Sequence, residues 1–224
     1  MSEKKPLKFI HISRTGGQSV VATFLENGTD WRKPTDFHKP FPLLPKEEKD
    51  SYDWFTIVRN PYTRVISEYA WCHMNIFHDP RVGEKDYFNQ FLVKWIKNIN
   101  DPFKLPMNNL PFVFHNKGEY HFTECYKYID FEYPIRVLRS EALEEDFNAL
   151  MQEYGNTFTL GPKVNDLPDK PMGISDLYPE TIELIKTVYA RDFELFGYST
   201  DPAKAADIPP PIVLSRPITF EQQQ

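Results

Sequence analysis

A chain of 224 residues with 41% hydrophobic and 26% charged side chains can bury a full core within one domain, the balance of a soluble globular protein. Its formal net charge of −6 excludes the dominant basic field that coating a nucleic acid requires. Two cysteines, Cys72 and Cys125, are too few for a disulfide framework, and no apolar run reaches the length of about 18 residues that a membrane span needs. The short apolar run after the N-terminal lysines contains His11 and falls short of a signal sequence. The expectation is a cytoplasmic protein with neither a membrane nor a nucleic-acid partner.

In chain order, LKFIHI at 7–12 reads as a first strand, followed by a loop at 13–17. A helix is expected over about 17–27, where Val20, Val21, Phe24 and Leu25 recur at helical spacing and Gly28 is the stop. Residues 29–50, rich in Pro and Lys, read as loop. DWFTIVR at 53–59 is apolar enough for a strand buried on both faces. It runs into NPYTRVISEYAWCHMNIF, with Asn60 as cap and Pro61 as the first helical residue. A third helix is expected over 86–99, an irregular stretch over 100–118 and a short helix over 120–129. YPIRVLR at 133–139 is a third strand, followed by a helix that Ser140 caps and Gly155 ends. A Pro-rich loop at 161–173 precedes one long helix over about 178–196, closed by Gly197. From Ser199 the periodicity stops, so the expected organisation is a single domain over 1–198 and an extended tail over 199–224.

Strands alternating with helices define an α/β fold with a mainly parallel central sheet flanked by helices. In such sheets ligands sit at the carboxyl ends of the strands. That rule gathers the loop at 13–19, Arg59 and Arg139 on one rim.

The loop SRTGGQS has the ingredients of an anion cradle. A glycine pair admits close approach, a helix start offers unpaired N–H groups, and Arg14, Thr15 and Ser19 add charge and hydroxyls. A nucleoside triphosphate loop would read G-x-x-x-x-G-K-[ST]; here the cation precedes the glycines and Ser19 follows them. In VRNPYTRVISEY, Arg59 closes a strand and Ser67 follows within the helix. Positions 60, 63, 64, 67 and 71 share one helix face, so Ser67 looks back toward the strand end. A guanidinium fork and a hydroxyl converging on one point suit a phosphate monoester. Taken singly, each element also reads as an ordinary turn or a surface ion pair.

Taken as a pair, the two elements resemble the sulfotransferases that use 3′-phosphoadenosine 5′-phosphosulfate (PAPS). The similarity is to the branch with the loop H-I-P-K-T-G-G-T-S and the second motif V-R-N-P-x-x-R-x-x-S-x-Y. FTECYKYID, VLRSEALEEDFNAL, VN at 164–165 and VYARDFELFGY look like later landmarks of that branch, so the resemblance spans about 7–198. It implies a P-loop-type three-layer domain. It further implies that Arg14, Thr15, Gly16, Gly17, Gln18 and Ser19 hold the 5′-phosphosulfate, that Arg59 and Ser67 hold the 3′-phosphate, and that Arg139 lies near the nucleotide. The chain departs from the pattern with Ser13 for Pro, Arg14 for Lys and Gln18 for Thr. Arg14 can still neutralise the leaving oxygen, but its proton is less transferable than that of Lys.

The activity so implied moves a sulfuryl group to a hydroxyl, or an amine, of a small-molecule or carbohydrate acceptor, with no metal required. His38 lies between the two cofactor motifs, where several of these enzymes place a catalytic histidine, and is the expected general base beside Arg14. Glu68 is the alternative base, and His11, within the first strand, is expected to be a core residue. Cys72, His73 and His78, or His115, His121 and Cys125, make loose groupings without metal-ligand spacing. The aromatic run Tyr69, Trp71, Phe77, Tyr87, Phe88, Phe91 and Trp95 reads as core rather than as an acceptor pocket. Arg32, Lys33 and Lys39 could meet an anionic acceptor or form a solvated loop. Two other readings stay open, a P-loop-type small-molecule kinase and a non-catalytic nucleotide-binding module. Oligomeric state is not set by the sequence.

Overall fold

Leu7–Ile10 (β1) and Asp53–Val58 (β2) pair in parallel, with Leu7 against Asp53 and Ile10 against Thr56. Arg136–Arg139 (β3) pairs in parallel with β2, Phe55 against Arg136 and Val58 against Arg139. The computed structural model describes residues 4–28, 38–73, 78–97, 121–164 and 171–212. Among these residues the sheet has three strands in the order β1-β2-β3, and all three end on the same rim.

Parallel neighbours need crossover connections, and here those connections carry helices. Gly17–Glu26 (α1) and Lys46–Ser51 (α2) lie between β1 and β2, and Pro61–Cys72 (α3) and Lys85–Lys97 (α4) between β2 and β3. Leu143–Glu153 (α5), Pro179–Val188 (α6) and Ala190–Phe196 (α7) follow β3.

The pleat sends alternate strand residues to opposite faces. Phe9, Phe55, Ile57 and Leu138 pack with Val20 and Phe24 of α1 and Phe147, Leu150 and Met151 of α5. Ile10, Trp54, Val58 and Val137 pack with Tyr62 and Val65 of α3, Phe88 and Leu92 of α4, and Ile185, Phe193 and Phe196 of α6 and α7. Each such fully buried side chain contributes about 1.5–3 kcal/mol. Both faces of the parallel sheet are therefore covered by helices, and the α/β fold read from the alternation of elements holds.

Several local features follow from named residues. The Asn60 side chain accepts from the Tyr62 N–H at 3.0 Å, with Pro61 at the first helical position, as the sequence predicts. Gly28 and Gly197 take positive φ at the helix ends expected of them. Tyr69, Phe88 and Phe91 lie in the core, and Trp71, Tyr87 and Trp95 pack partly buried against it.

Other expectations need correction. The stretch 29–50 is not all loop: α2 forms behind Pro45, with Glu47 and Glu48 complementing its N-terminus. Ser140 does not cap α5; it opens a short 3₁₀ turn, Ser140–Ala142, and Ala142 precedes the helix without a side-chain cap. Among the described residues of 120–129, Cys125–Tyr128, also 3₁₀, is the helical part. The long helix over 178–196 is two helices broken at Tyr189, whose ψ of 20° leaves the helical range. Tyr189 is fully buried and its hydroxyl donates to the Phe122 carbonyl at 2.7 Å, so tertiary anchoring overrides helical continuity there. Residues 199–212 lie against the domain, with Tyr62 donating to the Thr200 carbonyl at 2.8 Å and Arg139 to the Pro209 carbonyl at 2.7 Å. The stretch 100–118, Arg32, Lys33, Phe77 and His115 fall outside the described residues. Among the described residues, no helix is long and apolar enough to cross a membrane.

Candidate anion site and its histidine cluster

The loop between β1 and α1 holds two left-handed residues, Arg14 at φ 58° and Gly16 at φ 98°, on either side of Thr15. Alternation of left-handed and ordinary residues turns successive N–H groups inward, a concavity suited to an anion. The start of α1 adds its first N–H groups, which have no carbonyl within the helix to bond.

The second glycine has a different reason. A Cβ at Gly17 would sit 2.3 Å from the His11 ring and 3.1 Å from the Phe9 ring, so only glycine fits beneath the loop. Gly17→Ala is expected to lose about 1–3 kcal/mol in urea denaturation, because a buried methyl must displace two packed rings.

Arg14 and Arg59 are brought together. Arg59 donates through Nη1 to the Arg14 carbonyl at 3.1 Å and through Nε to the Thr63 hydroxyl at 3.0 Å. Arg14 in turn donates through Nε to the Ser67 hydroxyl at 3.1 Å. The glycine loop, the end of β2 and the first turns of α3 thus meet in one linked group. Burial works against the charge of Arg59 and lowers its pKa, and Arg14 adds to that effect, while Glu141 favours the charge. An arriving anion would relieve the repulsion between the Arg14 and Arg59 charges. A cavity of about 380 Å³ opens beside Arg59, lined also by Thr63, Ile66, Pro171, Gly173 and Asp176.

The remaining loop residues have separate duties. Thr15 is fully buried and donates its hydroxyl to the Ile12 carbonyl at 2.9 Å. Ser19 is buried and accepts from the Val164 N–H at 2.9 Å. Gln18 is half-buried and Gly16 exposed. Arg139 ends β3 on the same rim, but its donors go to Asp146 in a two-point pair and to the Pro209 carbonyl. This arrangement ties β3, α5 and the chain after α7 together.

Beneath the loop lies a cluster of histidines that the sequence does not announce. His38 is buried with a left-handed φ of 69°, and its Nδ1 lies 2.8 Å from the His11 carbonyl. A carbonyl only accepts, so His38 Nδ1 carries the proton and Nε2 is the basic nitrogen. The His38 ring centroid lies 4.5 Å from that of His11 and 5.6 Å from that of His121. Burial, then His121, push the His38 pKa down to about 4, against the opposing pull of the His11 carbonyl and Glu68.

Glu68, the alternative base, is fully buried and both of its oxygens are engaged. Oε1 accepts from the Ser13 hydroxyl and Oε2 lies 2.8 Å from His121 Nδ1. It cannot meet an acceptor directly. Burial alone would raise its pKa, but His121, Arg64 and Arg14 outweigh that and hold it below the ordinary carboxylate value.

Arg64 organises the cluster from below. It donates to the carbonyls of Ser13, His121 and Thr123 at 3.1, 2.9 and 2.8 Å, and to the Ser13 hydroxyl at 3.3 Å. Sequence reasoning puts Arg64 on the correct helix face without a role, and gives His121 no place in the site. A fully apolar α3 face would have needed no arginine there, which is the one local signal available. Among the described residues, no group of three or more His, Cys, Asp or Glu side chains could hold a metal ion. No family model, curated protein or solved structure matches the chain.

Proposed function

We propose that this protein is a PAPS-dependent sulfotransferase of P-loop-type fold. The observation that carries the reading is the linked group of Arg14, Arg59 and Ser67, which joins the two sequence elements of the resemblance at one point on the sheet rim. In this reading the 5′-phosphosulfate lies along the turn from Arg14 to Ser19 and over the start of α1. The 3′-phosphate takes the Arg59 guanidinium and the proton of the Ser67 hydroxyl, whose lone pair already accepts from Arg14. The cavity beside Arg59 has the size range of a small-ligand site.

The transfer is an in-line displacement. The acceptor oxygen forms a bond to sulfur, the bridging S–O bond breaks, and its electron pair stays on the departing phosphate. Arg14 and the helix-start N–H groups stabilise that charge. The acceptor's proton goes to the histidine cluster containing His38. The acceptor is a hydroxyl of a small molecule or carbohydrate.

Calorimetry with 3′-phosphoadenosine 5′-phosphate (PAP) tests the reading. The nucleotide lacking the 3′-phosphate is expected to bind at least about tenfold more weakly, the equivalent of one charge-assisted hydrogen bond. The double variant Arg59→Ala/Ser67→Ala should abolish that difference. PAP should also raise the melting temperature more than Mg-ATP does; the reverse order would favour a kinase.

A further inference from the structure

We propose that His121, held through Nδ1 by the Glu68 carboxylate, is the base that takes the acceptor's proton, with His38 packed beside it as a neutral wall of the acceptor site. This assignment rests on the sulfotransfer reading and names the base within it.

The geometry is that of an oriented imidazole. Glu68 is a carboxylate that can only accept, so at 2.8 Å His121 Nδ1 must donate, which leaves the lone pair on Nε2. The carboxylate is itself fixed by the Ser13 hydroxyl, one residue before Arg14, and by its position on α3 next to Ser67. Arg64 clamps the His121 backbone carbonyl at 2.9 Å, and the Trp71 ring stacks on the imidazole with centroids 4.9 Å apart and planes 20° apart. Ring rotation, tautomer and backbone position are therefore all constrained. A base backed by an orienting acid is the arrangement that nucleophile activation generally uses.

His38 is built differently. Its Nδ1 partner is a neutral carbonyl, which fixes the tautomer but gives no counter-charge to an imidazolium. Its depressed pKa, about 4, agrees with a ring that stays neutral through turnover. Among the described residues, Glu68, Arg64, His38 and His11 are charged or titratable groups that face His121, and of these four Glu68 is the anion. In the step itself, the acceptor O–H bond breaks and its proton goes to His121 Nε2. The new O–S bond forms as the S–O bond to the phosphate breaks, and the imidazolium afterwards returns its proton to solvent.

The test uses radiolabelled PAPS with water and with glucose as acceptors, measured for wild type and for His121→Gln, Glu68→Gln and His38→Gln. PAP calorimetry on each variant reports that the fold and the cofactor site persist. Expected results are a loss in kcat of about 100-fold or more for His121→Gln, within the range of a general base, and a smaller loss for Glu68→Gln. In Glu68→Gln the loss should fall on kcat with PAP affinity unchanged, which a purely structural carboxylate would not separate. Nitrogen-detected NMR of the wild type should find the His121 proton on Nδ1, and Glu68→Gln should erase that preference. If His121→Gln keeps kcat within about threefold while His38→Gln abolishes turnover, the base is His38 and the proposal falls. If the wild type binds PAP but never consumes PAPS, a binding module is indicated; if it binds no PAP, the sulfotransfer reading itself fails. In either case the assigned base falls with it.

Discussion

Arg64→Met is expected to unfold at markedly lower urea concentration than wild type, with a loss of about 3–5 kcal/mol. Methionine fills most of the space of the arginine stem, so packing is largely retained and the polar balance is what changes. Four hydrogen bonds disappear, and the carbonyls of Ser13, His121 and Thr123 lose a charged donor in an interior that water does not reach. The Glu68 carboxylate also loses a cation that helps hold it ionised. Arg64→Lys should recover only part of the loss, because one ammonium cannot span carbonyls on two separate segments as a planar fork does. Equal urea midpoints for wild type and Arg64→Met would show that the guanidinium contributes nothing to joining these segments.

Arg14→Ala is expected to lower kcat by about 100-fold, roughly 3 kcal/mol of transition-state stabilisation, while changing PAP affinity far less. The separation follows from how the residue is used. Arg59 is anchored on the Arg14 backbone carbonyl, which every side chain at this position retains. In the proposed reaction the guanidinium would act on the leaving phosphate, where charge grows only as the S–O bond breaks, so its removal should fall on the chemical step. Arg14→Lys should stay within about tenfold of wild type, since a point charge can serve a developing oxyanion. Single-turnover measurements with radiolabelled PAPS separate chemistry from release. A pure loss of affinity, with unchanged kcat, would place Arg14 in ground-state binding alone.

The framework was legible because it is written in short-range patterns. The apolar run at 53–59 marked a strand covered on both sides, and Asn60-Pro61 marked where its helix begins. Likewise, the glycine pair marked the turn, although Gly16 answers a backbone conformation and Gly17 a packing limit set by His11. What stayed hidden is non-local. His121 reaches Glu68 and His38 only because Arg64 ties two distant segments together, and no periodicity encodes that contact. The helix α2 was missed because it buries no residue and so carries no apolar stripe. The break at Tyr189 was missed because the helical pattern continues through it, and only the bond to the Phe122 carbonyl explains why the chain leaves the helix.

Among the described residues the sheet contains no hairpin, and this governs the order in which the molecule can be completed. Phe9 must wait for Phe55 to find its partner strand, and Phe55 in turn waits for Arg136. Phe147, which belongs to the same core cluster, is translated later still. A nascent polypeptide leaving the ribosome therefore exposes a greasy slab for much of its synthesis, and the interval between Phe55 and Phe147 is when a chaperone is most needed.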